Sequence, residues 1–299
     1  MKTLSLRILI FTISAFALSY VCAAIGHIDD KDKFPISLAS PYKKAIINVM
    51  PIEIHRELSA DGITELDFSA VATDVEIKTT SSATININLK GNFPVSERGS
   101  KEDVLSVTSD NDKGLLNVRV QERSQQNGFL NFDISAGEGQ MIIEVPQSLQ
   151  HLYIKTVSGN IKLPSAAFEK IGVKTVSGEV LGQDLNVKIL DSESVSGDFK
   201  LEGVLENLNT HTVSGDSQIS FKNMAPEMKG KSTSGEFHLK FPGKPDAEIN
   251  LKSVSGEMYY DQASDDDSDS DNRKHRYRSG QGRGRIELKT VSGDVHINN

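Results

Sequence analysis

The sequence contains one cysteine, Cys22, and no tryptophan among its 299 residues. A single cysteine excludes an intramolecular disulfide and a cysteine-based zinc site. The aromatic residues are 6 tyrosines and 12 phenylalanines, which disfavours a surface that stacks on sugar rings. The formal net charge is −8, whereas a general nucleic-acid binder needs a basic footprint. We therefore expect no nucleic-acid partner.

Long apolar runs are also scarce, and none after the N-terminus approaches the roughly 20 residues of a membrane-spanning helix. Residues 1–24 predict a signal peptide, with Lys2 and Arg7 before a short apolar stretch over 8–18. We expect export to the periplasm, the cell surface or the medium, and no transmembrane segment in the mature chain. Two alternatives stay open at this point: an uncleaved membrane anchor, and lipidation of Cys22.

A short repeat dominates the C-terminal half of the chain. Seven copies share Thr or Ser, one residue, Ser, Gly and then, in six of them, an acidic residue. Their glycines lie 19, 19, 18, 20, 21 and 37 residues apart, so the last gap is about two periods and predicts a replaced or interrupted coil. The glycines are Gly159, Gly178, Gly197, Gly215, Gly235, Gly256 and Gly293.

Each copy predicts two strands joined at a tight corner. With the glycine as position 0, apolar residues recur at −7, −5, +2 and +4, as in Leu152, Ile154, Ile161 and Leu163 around Gly159. Spacing by two is the strand period. We interpret the glycine as a turn residue that tolerates positive φ, and Thr or Ser at −3 as a hydroxyl ladder between copies.

One such unit cannot bury its apolar face, so the copies must stack. The sequence therefore predicts an all-β fold, a single-stranded-type β-solenoid with coils of about 19 residues. We expect an irregular N-terminal arm or cap over 25–62 and the solenoid over 63–299, with a charged, disordered insertion at 261–285. Weaker copies are expected around Thr73 and Gly137.

The repeat, together with the signal peptide and the opening segment 65–77, resembles a bacterial family of unknown function usually labelled "putative adhesin". It is similar to the head domains of some autotransporter adhesins as well. The resemblance covers about residues 50–299. It implies an exported β-solenoid with a binding role, and it leaves the insertion at 261–285 unexplained.

The first candidate site is the acidic row at position +1. Stacked in register, these side chains would lie about 5 Å apart along one edge, and carboxylates at that spacing suit a cation such as Ca²⁺. The alternative is a solvated corner that keeps the solenoid soluble. The row consists of Glu179, Asp198, Asp216, Glu236, Glu257 and Asp294.

The second candidate is the basic part of the insertion, which could contact an anionic partner. The alternative is a disordered loop of both charges. The residues concerned are Arg276, Arg278, Arg283 and Arg285.

The sequence contains no recognisable catalytic constellation, and identical residues in every coil indicate structure. No glycine-rich phosphate loop is present, so no cofactor is expected. The prediction is a non-enzymatic envelope protein that binds or scaffolds a protein or polysaccharide of the envelope or of a neighbouring surface. Two alternatives remain: a carbohydrate-active β-solenoid enzyme, and a periplasmic regulatory component that binds one partner through 261–285.

Overall fold

The computed structural model describes residues 48–95, 100–110, 112–120, 138–261 and 274–299, all within one compact unit, Ile47–Asn299. These ranges form twenty strands and a short 3-10 helix, Lys101–Val104, which confirms the all-β solenoid. The predicted signal peptide lies outside them. In chain order the strands are β1 (Asn48–Ser59), β2 (Glu65–Ser69), β3 (Thr73–Thr80), β4 (Thr84–Val95), β5 (Leu105–Asp110), β6 (Leu115–Val120), β7 (Glu138–Pro146), β8 (His151–Lys155), β9 (Ile161–Leu163), β10 (Ala167–Lys174), β11 (Val180–Glu193), β12 (Phe199–His211), β13 (Ser217–Phe221), β14 (Glu227–Lys231), β15 (Phe237–Lys240), β16 (Ala247–Lys252), β17 (Met258–Tyr260), β18 (Lys274–Arg278), β19 (Gly284–Lys289) and β20 (Val295–Asn298).

The alternation in the sequence decides which side chains form the core. In β8, Leu152 and Ile154 are fully buried while Tyr153 between them is partly exposed. Burying an aliphatic side chain of this size stabilises the fold by about 1.5–3 kcal/mol. The apolar residues predicted at −7, −5, +2 and +4 are confirmed as core: Leu152, Ile154, Ile161, Leu163, Ile171, Val173, Phe199, Leu201, Phe237, Leu239, Ile249, Leu251, Ile286, Leu288, Val295 and Ile297.

The strands before each corner form sheet 1 and the strands after it form sheet 2. Sheet 1 has the order β5-β6-β2-β8-β10-β11-β12-β14-β19-β16-β18. Sheet 2 has the order β1-β4-β7-β3-β9-β11-β12-β13-β15-β20-β17. The long strands β11 and β12 belong to both sheets, and the register between them shifts between Gly182 and Leu185, where the chain returns from sheet 2 to sheet 1.

The coils do not stack in sequence order at the C-terminal end. β14 pairs with β19, and β19 pairs on its other side with β16, so the last coil of the chain lies between two earlier ones. Sheet 2 repeats this order, because β20 lies between β15 and β17. The long gap before Gly293 therefore does not mark a missing coil. Within this gap the chain forms β18 at the outer end of sheet 1 and then returns to place β19 between β14 and β16.

The N-terminal end shows the same arrangement. β2 lies between β6 and β8, and β3 lies between β7 and β9. β1, predicted as part of an irregular arm over 25–62, is a twelve-residue strand that pairs antiparallel with β4. Of the weak copy expected around Gly137, the residues up to Gly137 lie outside the described ranges, and Glu138 begins β7.

The insertion at 261–285 is likewise corrected in its second half. β18 pairs antiparallel with β16, and Gly284 already begins β19. Tyr277 in β18 is buried and its ring lies 5.3 Å from that of Tyr260, so β18 extends sheet 1 and part of the core with it. Residues 262–273 of the insertion lie outside the described ranges.

The repeat glycines are required by close approach and not by the positive φ that we assumed. The glycines with positive φ in the described ranges are Gly62, Gly114, Gly203, Gly280 and Gly282, none of them from the repeat. A Cβ on Gly197, for example, would lie 2.2 Å from the carbonyl oxygen of Gly178 in the neighbouring coil. A side chain at position 0 would therefore push adjacent corners apart.

The hydroxyls of the repeat close each corner and join it to the next. At −3, Thr175 Oγ1 accepts a bond of 3.0 Å from Gly178 N–H within its own corner. The expected ladder from coil to coil appears between Thr156 and Thr175, 3.1 Å apart, but the other −3 hydroxyls bond within their corner. At −1, Ser196 Oγ donates across to Val176 O at 3.2 Å, and the other copies repeat this bond.

Candidate functional site

The +1 row runs along the corners, and Asn160 holds the same position in the first copy. The aspartates of the row and Asn160 hold neighbouring coils together. Asp216 Oδ1 accepts a bond of 2.9 Å from Glu236 N–H in the next coil. Asp198 accepts from Asp216, and Asp294 accepts from Glu257, in the same way. Asn160 does so for Glu179 with its amide oxygen, which shows that the bond does not need a charge.

This bonding accounts for an aspartate or asparagine at +1 without a bound cation. The short side chain of aspartate or asparagine brings one oxygen to the backbone amide of the +1 residue in the neighbouring coil. Glu179 has a longer side chain and instead forms an exposed ion pair with Lys200. The structure thus places the six acidic residues in one row and gives three of them, Asp198, Asp216 and Asp294, a structural role. Cation binding along the whole row stays a prediction.

The outer surface of sheet 1 carries a different row, formed by position −4 of the seven copies and by Lys274 of β18, which we call the lysine row. Its members are direct neighbours across eight consecutive strands from β8 to β18, about 4.8 Å apart at each step. Apart from Lys155, which is half-buried, all of these side chains are exposed. In stacking order the lysine row is Lys155, Lys174, Glu193, His211, Lys231, Lys289, Lys252 and Lys274.

The two ends of the lysine row differ in electrostatics. Lys155 and Lys174 pair with Asp67 and Glu193 at 3.5 and 2.9 Å. At the β14–β18 end, Arg285 pairs with Glu287, but six other cations have no carboxylate of the described residues within 4.0 Å. The unpaired cations there are Lys229, Lys231, Lys252, Lys274, Arg276 and Lys289.

Glu287 lies among these cations, opposite Lys229. The hydrogen-bonded guanidinium of Arg285 lowers its pKa, slight burial opposes the change, and the charges of Lys289 and Lys229 lower it further. Glu287 therefore stays ionised and is neutralised by Arg285. The surrounding ammonium groups keep a surplus of positive charge on a chain whose net charge is −8.

A groove of about 530 Å³ lies beside the paired end of the lysine row, on the outside of β8 to β14. Gly172 and Tyr153 line this groove. Because Gly172 has no side chain, the ring of Tyr153 lies across it, 2.7 Å from where a Cβ would be. Asp191 borders the groove and bonds Lys170 at 3.0 Å and Asn209 at 2.8 Å. Burial raises the pKa of Asp191, but these two bonds outweigh it, so the net shift is downward and the carboxylate is charged.

The four arginines of the insertion are brought near one another but are mostly engaged. Arg283 bonds Asp246, Arg285 bonds Glu287, and Arg278 donates to Gln281 O at 3.0 Å. Arg276 adjoins the lysine row, because β18 places it opposite Asn250. Among the described residues, no carboxylate pairs with Arg276, and the lysines lie beside it. Contact of the four arginines with an anionic partner stays a prediction.

Sequence reasoning missed the lysine row although a signal for it was present. Five of the seven repeat copies have lysine at −4, a position that we did not consider. The register of the strands turns this repetition into a continuous surface. In the described ranges, no helix is both long and apolar enough to cross a bilayer.

Several solved structures are similar to the chain over 83% of its length. One is a "putative adhesin" from Bacteroides fragilis, with 14% identity, 97% of that chain covered and a TM-score of 0.42. Another is a "putative cell adhesion protein" from Clostridium sporogenes, with 12% identity, 99% covered and a TM-score of 0.36. A third is a "putative lipid binding protein" from Parabacteroides distasonis, with 14% identity, 96% covered and a TM-score of 0.38. Similarities this distant assign no function.

No curated protein matches the sequence significantly. A family model does: the Toastrack DUF4097 model matches residues 63–207 and again 169–298. The two matches overlap and together span the chain from just before β2 to β20, as expected of a repeat that can be aligned in more than one register. The chain therefore belongs to the Toastrack DUF4097 family.

Proposed function

We propose that this protein is a non-enzymatic, exported binding protein that holds an anionic polysaccharide of the envelope, or of a neighbouring surface, along sheet 1. The observation that carries the proposal is the lysine row, whose four cations Lys231, Lys289, Lys252 and Lys274 are direct neighbours without ion pairs in the described ranges. A regular array of charges suits a regular polymer of opposite charge.

The mechanism is multivalent. A single exposed ion pair contributes less than about 1 kcal/mol, so one lysine alone would hold a sugar carboxylate weakly. A rigid row of cations at a fixed spacing makes the later contacts intramolecular and raises the overall avidity. The groove at Gly172 continues this surface, and Tyr153 at its floor offers an apolar contact for a sugar ring.

The carboxyl groups favour binding over glycoside hydrolysis. A glycosidase needs one carboxylic acid with a raised pKa. The described carboxyl groups with a resolved shift all have a lowered pKa, so each is charged at neutral pH: Glu76, Glu102, Asp110, Asp191, Asp246 and Glu287.

The test replaces Lys231, Lys252 and Lys289 with glutamine and measures binding to immobilised polygalacturonate at low salt. The matched control replaces three lysines on the outside of sheet 2, Lys162, Lys200 and Lys240, with the same change in net charge. We expect the first variant to lose most of its binding and the second to retain it. Equal binding by both variants, or equal loss, would overturn the proposal. Neutral dextran is the control for the ligand, and neither variant should bind it.

A further inference from the structure

Three metal-ligating side chains meet on the outside of sheet 2, away from the lysine row. His238 in β15 is the direct neighbour of His296 in β20, and Glu236 immediately precedes β15. One ligand atom from each of the three lies within 4.8 Å of the other two. All three are half-buried, so the ligand atoms are accessible but held.

The neighbouring side chains keep the two imidazoles in place. The rings of His238 and His296 are stacked with centroids 4.9 Å apart and planes within 3°. Tyr259 of β17 stacks on the other face of His296 at 5.0 Å, and Tyr259 itself bonds Glu257. Glu236 Oε2 lies 2.9 Å from His238 Nε2, which aims the carboxylate at the imidazole pair.

We propose that Glu236, His238 and His296 form a site for a divalent transition-metal ion, with Zn²⁺ as the ion that fits first. Two neutral imidazoles and a carboxylate are a recurrent zinc ligand set, with metal–ligand distances of about 2.0–2.2 Å. Ligand atoms on one such ion lie at most about 4 Å apart. Small side-chain rotations close the present spacing to that limit.

The charge around the trio also suits a cation. Asp294 and Glu257 occupy the +1 positions of the next two coils on one side of Glu236, so the ion would add positive charge beside three carboxylates, counting Glu236. With three protein ligands, a fourth position stays open to water or to a donor group of a partner. Nitrogen ligands distinguish this site from the all-carboxylate row, because imidazole suits zinc, copper and nickel and not calcium.

The site depends on the unusual stacking order. If the coils stacked as they follow in the sequence, β15 would pair with β17 and His238 would face Tyr259. The last coil, lying between them, supplies His296 instead. A bound ion would thus join the last coil of the chain to a coil that is remote in sequence.

The experiment titrates the untagged, EDTA-treated protein with Zn²⁺ and measures bound metal by competition with a chromogenic chelator. We expect one equivalent per chain, and a rise in melting temperature on addition of Zn²⁺. Loss of an outer-shell partner lowers metal affinity roughly 10–100-fold, so loss of the direct ligand in His238→Gln or His296→Gln should cost at least that factor. The control His211→Gln, an exposed histidine of the lysine row, should bind as the parent does.

Further variants distinguish the loss of this metal site from a general change in the protein. Glu236→Gln should weaken binding as well, since it removes the anionic ligand. Circular dichroism should show the same strand content in every variant, because all substituted side chains lie at the surface. A parent protein that binds no Zn²⁺, variants that bind as tightly as the parent, or displacement of Zn²⁺ by equimolar Ca²⁺ would overturn the proposal.

Discussion

Gly293 lies directly against Gly235, and a Cβ on Gly293 would come within 2.0 Å of the Gly235 carbonyl oxygen. Gly256 falls between them in the sequence but stacks on the far side of Gly293. This contact shows the order in which the C-terminal coils stack. The order in turn places Lys289 in the lysine row and His296 beside His238.

The first prediction concerns the close approach of the corners. Gly197→Ala should destabilise the protein by about 1–3 kcal/mol, the usual cost of overpacking, because the new Cβ would lie 2.2 Å from the Gly178 oxygen. Gly243→Ala is the control, since its Cβ would meet only Met224 Cε at 3.6 Å. Urea unfolding measures both. Equal midpoints for the two variants would show that the corners have room for a side chain.

The second prediction concerns the bonds of the +1 row. Asp216→Ala removes the acceptor for the Glu236 amide and should lower the free energy of unfolding by about 1 kcal/mol. Asp216→Asn should retain most of the stability, because Asn160 makes the same bond. Glu179→Ala is the matched control and should change little. The account of the row fails if Asn is as destabilising as Ala at position 216.

The third prediction concerns Asp246, which bonds Arg283 and accepts 2.8 Å from Gly282 N–H in the turn before β19. The Arg283 hydrogen bond lowers the pKa of Asp246 below its ordinary 3.8, against a small opposing effect of burial, and the backbone amides add to the lowering. A carboxyl group with a lowered pKa stabilises the fold above its ordinary pKa, and this contribution is lost as the pH falls through the lower, folded value.

Thermal melts of the parent and Asp246→Asn at several pH values check the sign. The parent should melt at the higher temperature at pH 7, and the difference should shrink as the pH falls below 3.8. A difference that stayed constant down to pH 2 would mean that the Asp246 charge does not stabilise the turn.

The fourth prediction concerns salt. Contacts between exposed charges are screened over a Debye length of about 10 Å at 0.1 M salt. Binding to polygalacturonate should therefore weaken steadily between 50 and 300 mM NaCl, concentrations chosen to span about that range. The variant with glutamine at 231, 252 and 289 should show a shallower dependence, since fewer charges are involved. Binding that is indifferent to salt would indicate apolar contacts, for instance at Tyr153, in place of the lysine row.

The sequence predicts the interior of this protein well, because burial depends on local alternation. Leu152 and Ile154 are assigned to the core by their spacing alone, and the structure confirms them. The corners at Gly159 and its equivalents are also visible in the repeat. The reason why these positions require glycine is not visible in the repeat, because the close contact is with another coil.

The stacking order is what local patterns do not predict. Every copy presents the same register, so nothing near Gly235 indicates whether Gly256 or Gly293 stacks on it. The choice depends on β18, which turns back antiparallel along β16 and lets β19 enter on the other side. The pair His238 and His296 was consequently hidden, because the two residues belong to copies that are not consecutive.

The stacking order can be tested most directly by disulfide trapping. With Cys22 replaced by serine the chain has no other cysteine, and a disulfide requires Cα atoms within about 7 Å. Adjacent strands lie about 4.8 Å apart, and strands two positions apart about twice that. We predict that Lys231→Cys with Lys289→Cys forms a disulfide on mild oxidation, and that Lys231→Cys with Lys252→Cys does not. A disulfide in the second pair and none in the first would show that the coils stack in sequence order. That result would contradict the order of the lysine row and the pairing of His238 with His296 on which the metal site depends.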